Sequence, residues 1–202
     1  QLNNASQVRV DLGVKQVHNI LGYPHPGELM IIGARPGMGK TAFALNLLFN
    51  YVHNKDSKRA IMFSLEMSGT ELFNRLISMD RGVSLTDLRA GNYDAKAKSI
   101  LEANAKELSS NTKLSLYDKS VTNINALRSA IRKESKKGEV GLVIVDYLQL
   151  LSGAGASKYE QVSEISRQLK LIAKNLEKKT DIFLKYLEDK KNKLIIVNES
   201  AH

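Results

Sequence analysis

The sequence predicts an α/β domain: a mostly parallel central sheet with helices on both faces. Three features point there. A glycine-rich segment, Ala34-Arg35-Pro36-Gly37-Met38-Gly39-Lys40-Thr41, lies between a short apolar run and an amphipathic stretch. Apolar runs of strand length alternate with stretches whose apolar residues recur at helical spacing. Finally, Leu29-Met30-Ile31-Ile32 and Leu142-Val143-Ile144-Val145 are continuously apolar, which is the pattern of strands buried on both faces.

Taken in order, residues 27–33 form a first strand, and 42–52 a helix through Phe43, Leu47, Leu48 and Tyr51. A second strand spans 60–65, and a helix over 70–79 sets Leu72, Leu76 and Ile77 on one side. Residues 95–108 read as a helix, 113–117 as a short strand, and 123–136 as a helix capped by Asn123 with Ile124, Leu127 and Ile131 inward. The strand 140–145 ends at Asp146, and 152–157, with Gly153 and Gly155, is a small-residue loop. From 159 to 176 the residues Val162, Ile165, Leu169, Ile172, Ala173 and Leu176 share one helical face, with Arg167, Lys170 and Lys174 outward. The lysine-rich stretch 177–193 reads as helical and 194–197 as a last strand. The expected organisation is a three-layer core over 1–176 and a divergent lysine-rich tail over 177–202.

Composition narrows the functional classes. The 202 residues, 43% of them hydrophobic, suit one globular core. Without Cys there can be neither disulfides nor thiolate metal sites, and the His residues lack ligand-like spacing. No apolar run approaches the roughly 20 residues that cross a bilayer, so a soluble, cytoplasmic protein without membrane contact is expected. No targeting peptide is recognisable, and Gln1 in place of Met reads as a fragment. A formal charge of +9 fits polyanionic partners, nucleic acid or nucleotide phosphates; the alternative is a solvated lysine-rich surface.

The glycine-rich segment has the chemistry of a phosphate cradle, formed by Ala34, Arg35, Pro36, Gly37, Met38, Gly39, Lys40, Thr41 and Ala42. Gly37 and Gly39 permit a tight turn that exposes backbone N–H groups. Lys40 supplies a point charge for the β- and γ-phosphates of ATP, and Thr41 offers a hydroxyl to Mg²⁺. The following helix adds its positive N-terminal end. The strict pattern has Gly where Ala34 stands, which is tolerable at negative φ.

A cradle alone neither holds Mg²⁺ nor activates water. Asp146 ends a core strand on the edge where ligands sit in open α/β sheets, and so is a candidate metal partner; capping of the next turn is the alternative. Glu66 ends the strand Ile61-Met62-Phe63-Ser64-Leu65 on the same edge. It is the candidate catalytic base, a salt-bridged structural role being the alternative.

Taken together, Pro26-Gly27-Glu28-Leu29 leading into Gly33–Ala42, then Phe63-Ser64-Leu65-Glu66-Met67 and Val145-Asp146-Tyr147-Leu148-Gln149-Leu150 resemble the motor domain of the DnaB family of replicative helicases. Residues 163–170 extend the likeness, which covers about residues 8–176. The resemblance implies a RecA-like P-loop NTPase fold, with Lys40 and Thr41 on phosphate and Mg²⁺, Glu66 as catalytic carboxylate and Asp146 on the metal. Ala at position 34 is usual in that family. The resemblance also implies ATP-driven movement on single-stranded DNA, a hexameric ring, a primase or loader as partner, and a loop over 152–158 facing the ring's channel. For that loop, whose one cation is Lys158, a plain surface role is equally open.

Departures from the family lie at the C-terminus. A γ-phosphate-sensing Gln, further DNA-binding loops and a basic segment reaching the neighbour's nucleotide are not recognisable, although 194–198 could imitate the missing strand. An arginine finger is worth about 10³ to 10⁵ in rate in related sites, so nucleotide binding is expected to survive better than turnover. Beside a helicase motor, two further readings stand: an ATP-binding, hydrolysis-poor subunit that joins or regulates a ring, and a recombination or circadian-type RecA-like ATPase.

Overall fold

The computed structural model describes residues 10–25, 27–35, 37–81, 84–146, 157–183 and 194–199. Side chains are not described at 21, 34, 80–81, 158, 176–183 and 194–199.

The parallel sheet is observed, in the order β1-β5-β4-β2-β3. Its strands are β1 (Leu29–Ala34), β2 (Arg59–Ser64), β3 (Leu114–Tyr117), β4 (Val140–Asp146) and β5 (Leu194–Glu199), and every recorded pairing is parallel. Successive side chains of a strand point to opposite faces. Along β2 and β4, therefore, Ala60, Met62, Leu142 and Ile144 enter one cluster, with α2 (Lys40–His53), α3 (Gly69–Arg81) and α5 (Ala95–Ser110). Ile61, Phe63, Val143 and Val145 enter the other, with α6 (Ile124–Ser135) and α7 (Lys158–Phe183). Burial on both faces explains why these strands read as unbroken apolar runs.

Local chemistry sets the helix ends. Asn123 caps α6 as expected, its Oδ1 accepting from the backbone N–H of Asn125 and Ala126. Ser157 and Glu160 form a reciprocal capping box that starts α7, each side chain accepting from the other's backbone N–H at 3.2 Å. Two short helices were not expected: α1 (Lys15–Leu21) and α4 (Leu85–Ala90). The former has no side-chain cap and the latter no buried residue, so neither carries the usual periodic signal.

Lys170 departs from its expected outward position. It is half-buried, and its Nζ donates to the Gly27 carbonyl at 3.1 Å, tying α7 to the entry of β1. Helix α7 runs to Phe183, beyond residue 176; the rest of the lysine-rich stretch, 184–193, lies outside the described residues, as do Pro36 and residues 147–156, on which most of the expected 152–157 loop falls. Leu194–Glu199 is a strand between β1 and β4. Among the described residues no helix is long and apolar enough to cross a membrane.

Candidate nucleotide-binding site

The carboxyl ends of β1, β4 and β2 lie along one edge of the sheet, and each carries one part of the site. From β1 the chain turns into α2 through Gly37 (φ +78°) and Gly39 (φ +81°), the latter being the N-cap of α2. A Cβ on either glycine would meet no atom within 4 Å, so open space lies beside both. Their need for glycine is conformational, because a side chain at such φ is strained. Gly39 O accepts from Phe43 N at 2.8 Å, which begins the helix, and Lys40 and Thr41 occupy its first turn. The first N–H groups of a helix have no intrahelical acceptor, and a phosphate oxygen is a suitable one.

Asp146 ends β4 fully buried. Thr41 Oγ1 donates to its Oδ2 at 2.7 Å, and Lys40 Nζ stands 3.6 Å from its Oδ1. These two contacts join residues more than 100 positions apart, Thr41 and Asp146 being separated by 105. Asp146 Oδ1 accepts no hydrogen bond among the described residues. A buried carboxylate oxygen without a donor is costly in water's absence, and a cation would relieve it. The Thr41 hydroxyl, its hydrogen directed at Asp146 Oδ2, keeps its oxygen lone pairs as potential metal ligands. Donor type and arrangement thus fit Mg²⁺ beside a triphosphate.

Glu66 lies on the neighbouring strand's extension. Ser64 pairs in register with Asp146, and Leu65 N donates to the Asp146 carbonyl at 2.7 Å. Beyond it the chain bends, with Met67 N donating to Ser64 Oγ at 3.1 Å, and Glu66 projects into solvent at this bend. The buried Ser64 is a residue that sequence reasoning missed. Its signal was a lone hydroxyl in an otherwise apolar strand, two residues before the acid.

The structure therefore gathers Lys40, Thr41 and Asp146 into direct contact and sets Glu66 on the same edge. Arg35 and Met38 are exposed in the loop, and Ala42 is exposed in the first turns of α2. Pro36 and the Ala34 side chain are not described. Sequence reasoning also missed the place of β5: Val197 pairs with Asp146 and Glu199 with Ala34, so this strand's end lies between the cradle and the acid.

Comparisons with known proteins bear on the family and the fold. Residues 10–184 match the family described as DnaB-like helicase C terminal domain. The replicative DNA helicase DnaB of Helicobacter pylori (strain ATCC 700392 / 26695) is 39% identical over 171 residues, covering 83% of this chain and 34% of that protein. The DnaB of Rickettsia bellii (strain RML369-C) is 37% identical over 187 residues, covering 86% of this chain and 37% of its own. Among solved structures, an ATPase domain superposes with a TM-score of 0.81 at 27% identity, covering 99% of this chain and 66% of its own. A DnaB-like replicative helicase, solved for its interactions with primase, gives a TM-score of 0.80 at 28% identity, covering 97% and 44%. The chain spans about a third of the length of these two curated relatives.

Proposed function

Since this chain belongs to the family of DnaB-like helicase C-terminal domains, we propose that it is the ATP-driven motor segment of a replicative DNA helicase. The observation that carries the reading is the contact of Thr41 and Lys40 with the buried Asp146 directly beneath an open glycine turn. In this reading the backbone N–H groups from Ala34 to Ala42 cradle the phosphates of ATP, and Lys40 places its charge on the β- and γ-phosphates. Thr41 and Asp146 hold Mg²⁺. The metal, when bound, neutralises phosphate charge during transfer.

Glu66 is the general base. Its exposed position lets it orient a water and take its proton, and Ser64 holds the bend that aims it. Lys40, whose Nζ stands 3.6 Å from Asp146 Oδ1, would turn its charge to the phosphates where Asp146 and Thr41 held the metal. Family membership favours this motor over a hydrolysis-poor subunit.

On the same reading the protein works in a hexameric ring on single-stranded DNA, with 152–158 toward the channel and a primase or loader as partner, in the cytoplasm. The division into a core at 1–176 and a lysine-rich tail at 177–202 is kept as part of the proposal, the tail lending β5 to the sheet. Binding of a fluorescent ATP analogue with and without Mg²⁺ tests the site. Lys40→Ala should weaken binding in both conditions, whereas Asp146→Asn should remove only the dependence on Mg²⁺. Equal Mg²⁺ dependence in wild type and Asp146→Asn would refute the metal assignment.

A further inference from the structure

The opposite end of the sheet carries a concentration of positive charge. Strands β2, β3 and β4 begin there at Arg59, Leu114 and Val140, and helix α6 ends there. Acids at this end are largely engaged: Lys58 pairs with Glu139, while the buried Glu134 takes Arg59 and Lys137. Lys55, Arg132, Lys133 and Lys136 are exposed, and among the described residues no carboxylate pairs with them. Lys113 Nζ donates to the Lys55 carbonyl at 3.0 Å, which draws the turn after α2 against the start of β3. Asp56, in the turn after α2, and Glu107, in the last turn of α5, are exposed acids on elements leading to this end, and among the described residues cations outnumber them.

We propose that this amino-terminal end of the sheet binds the phosphodiester backbone of nucleic acid, at a site separate from the ATP cradle. The proposal rests on reading the chain as a DNA motor. Separation follows from strand length: the seven residues of β4, at about 3.3 Å each, put this end about 20 Å from Asp146. The partner class follows from what the patch lacks. Among the described residues the exposed large apolar ones, Ile20, Tyr23, Ile31, Met38, Tyr159 and Leu171, belong to other elements. Protein interfaces centre on buried aromatic and arginine anchors and are depleted in lysine. A lysine field without an apolar centre suits phosphates instead, since each neutralised phosphate releases condensed counterions.

The test is the salt dependence of binding for labelled single-stranded and duplex oligonucleotides, measured by fluorescence anisotropy. A triple variant, Lys55→Gln with Lys133→Gln and Lys136→Gln, should lower the slope of log affinity against log salt by about 2, at roughly 0.7 to 0.9 per lost contact. Binding of the ATP analogue should stay unchanged, which shows that the variant is folded and reports on the motor reading separately. A reduced slope on either oligonucleotide supports the proposal, and the responding arm names the strand form. An unchanged slope on both overturns it. So does a variant that loses binding of labelled polyglutamate while keeping its DNA slope, which would assign the patch to an acidic protein.

Discussion

Among the described residues one buried carboxylate stands at each end of the sheet, and the two are treated differently. At the amino end Glu134 is enclosed by four donors: Arg59 Nη2 at 2.7 Å, Lys137 Nζ at 2.7 Å, Ser115 Oγ at 2.8 Å and the Tyr117 hydroxyl at 2.9 Å. Burial alone would push its pKa up, but the hydrogen bonds from Lys137, Ser115, Arg59 and Tyr117 outweigh that and hold it at about 2. At the carboxyl end Asp146, equally buried, has one donor on Oδ2 and none on Oδ1. A closed network specifies a structure, whereas an open one is poised for a ligand.

This contrast can be broken from either side. Glu134→Ala leaves Arg59 without its buried partner and should destabilise the fold by about 3–5 kcal/mol in denaturant titration. Asp146→Asn removes a buried charge held by one donor, Thr41, and by Lys40 at 3.6 Å, so it should cost less stability than Glu134→Ala while Mg²⁺-dependent turnover falls. Equal destabilisation by the two substitutions would erase the distinction.

The difference also predicts a pH response. Because Glu134's folded pKa is depressed from 4.5 to about 2, its contribution is fully present above pH 4.5 and is lost as pH falls toward 2. The size is about 3 kcal/mol at 1.36 kcal/mol per unit. Glu134→Gln should flatten that part of the acid-denaturation curve, measured against wild type.

Smaller effects sharpen the account of packing around these ends. A Cβ at Gly141 of β4 would fall 2.1 Å from the Tyr51 hydroxyl and 2.9 Å from Lys58 Cβ. Burial raises the Tyr51 pKa to about 12, so the clash is with a neutral phenol lodged against the strand. Gly141→Ala should cost about 1–3 kcal/mol of unfolding free energy, the usual range for overpacking. Asn123→Ala, which removes a single cap from α6, should cost about 1 kcal/mol.

Which features were legible in the sequence depended on how local their causes are. The phosphate loop and β4 could be read directly, because a glycine turn and a strand buried on both faces leave their signatures in consecutive residues. Asn123 could be read for the same reason. Glu134 could not: it sits among Arg132, Lys133, Lys136 and Lys137, a pattern indistinguishable from a solvated face, and its partner Arg59 is 75 positions away. Nor was the contact of Lys40 with Asp146 visible, since it depends on how β1 and β4 are spaced in the sheet. The strand β5 was read at 194–197, but its place between β1 and β4 depends on the sheet and not on consecutive residues.

ATP turnover by the purified chain, with and without single-stranded DNA and beside Glu66→Gln, tests the central claim most directly. A motor predicts turnover that rises with DNA and falls by about 10² to 10⁴ in the variant, the span of a general base. Turnover that is indifferent to DNA and no faster than in Glu66→Gln, with ATP bound tightly in both, would contradict it.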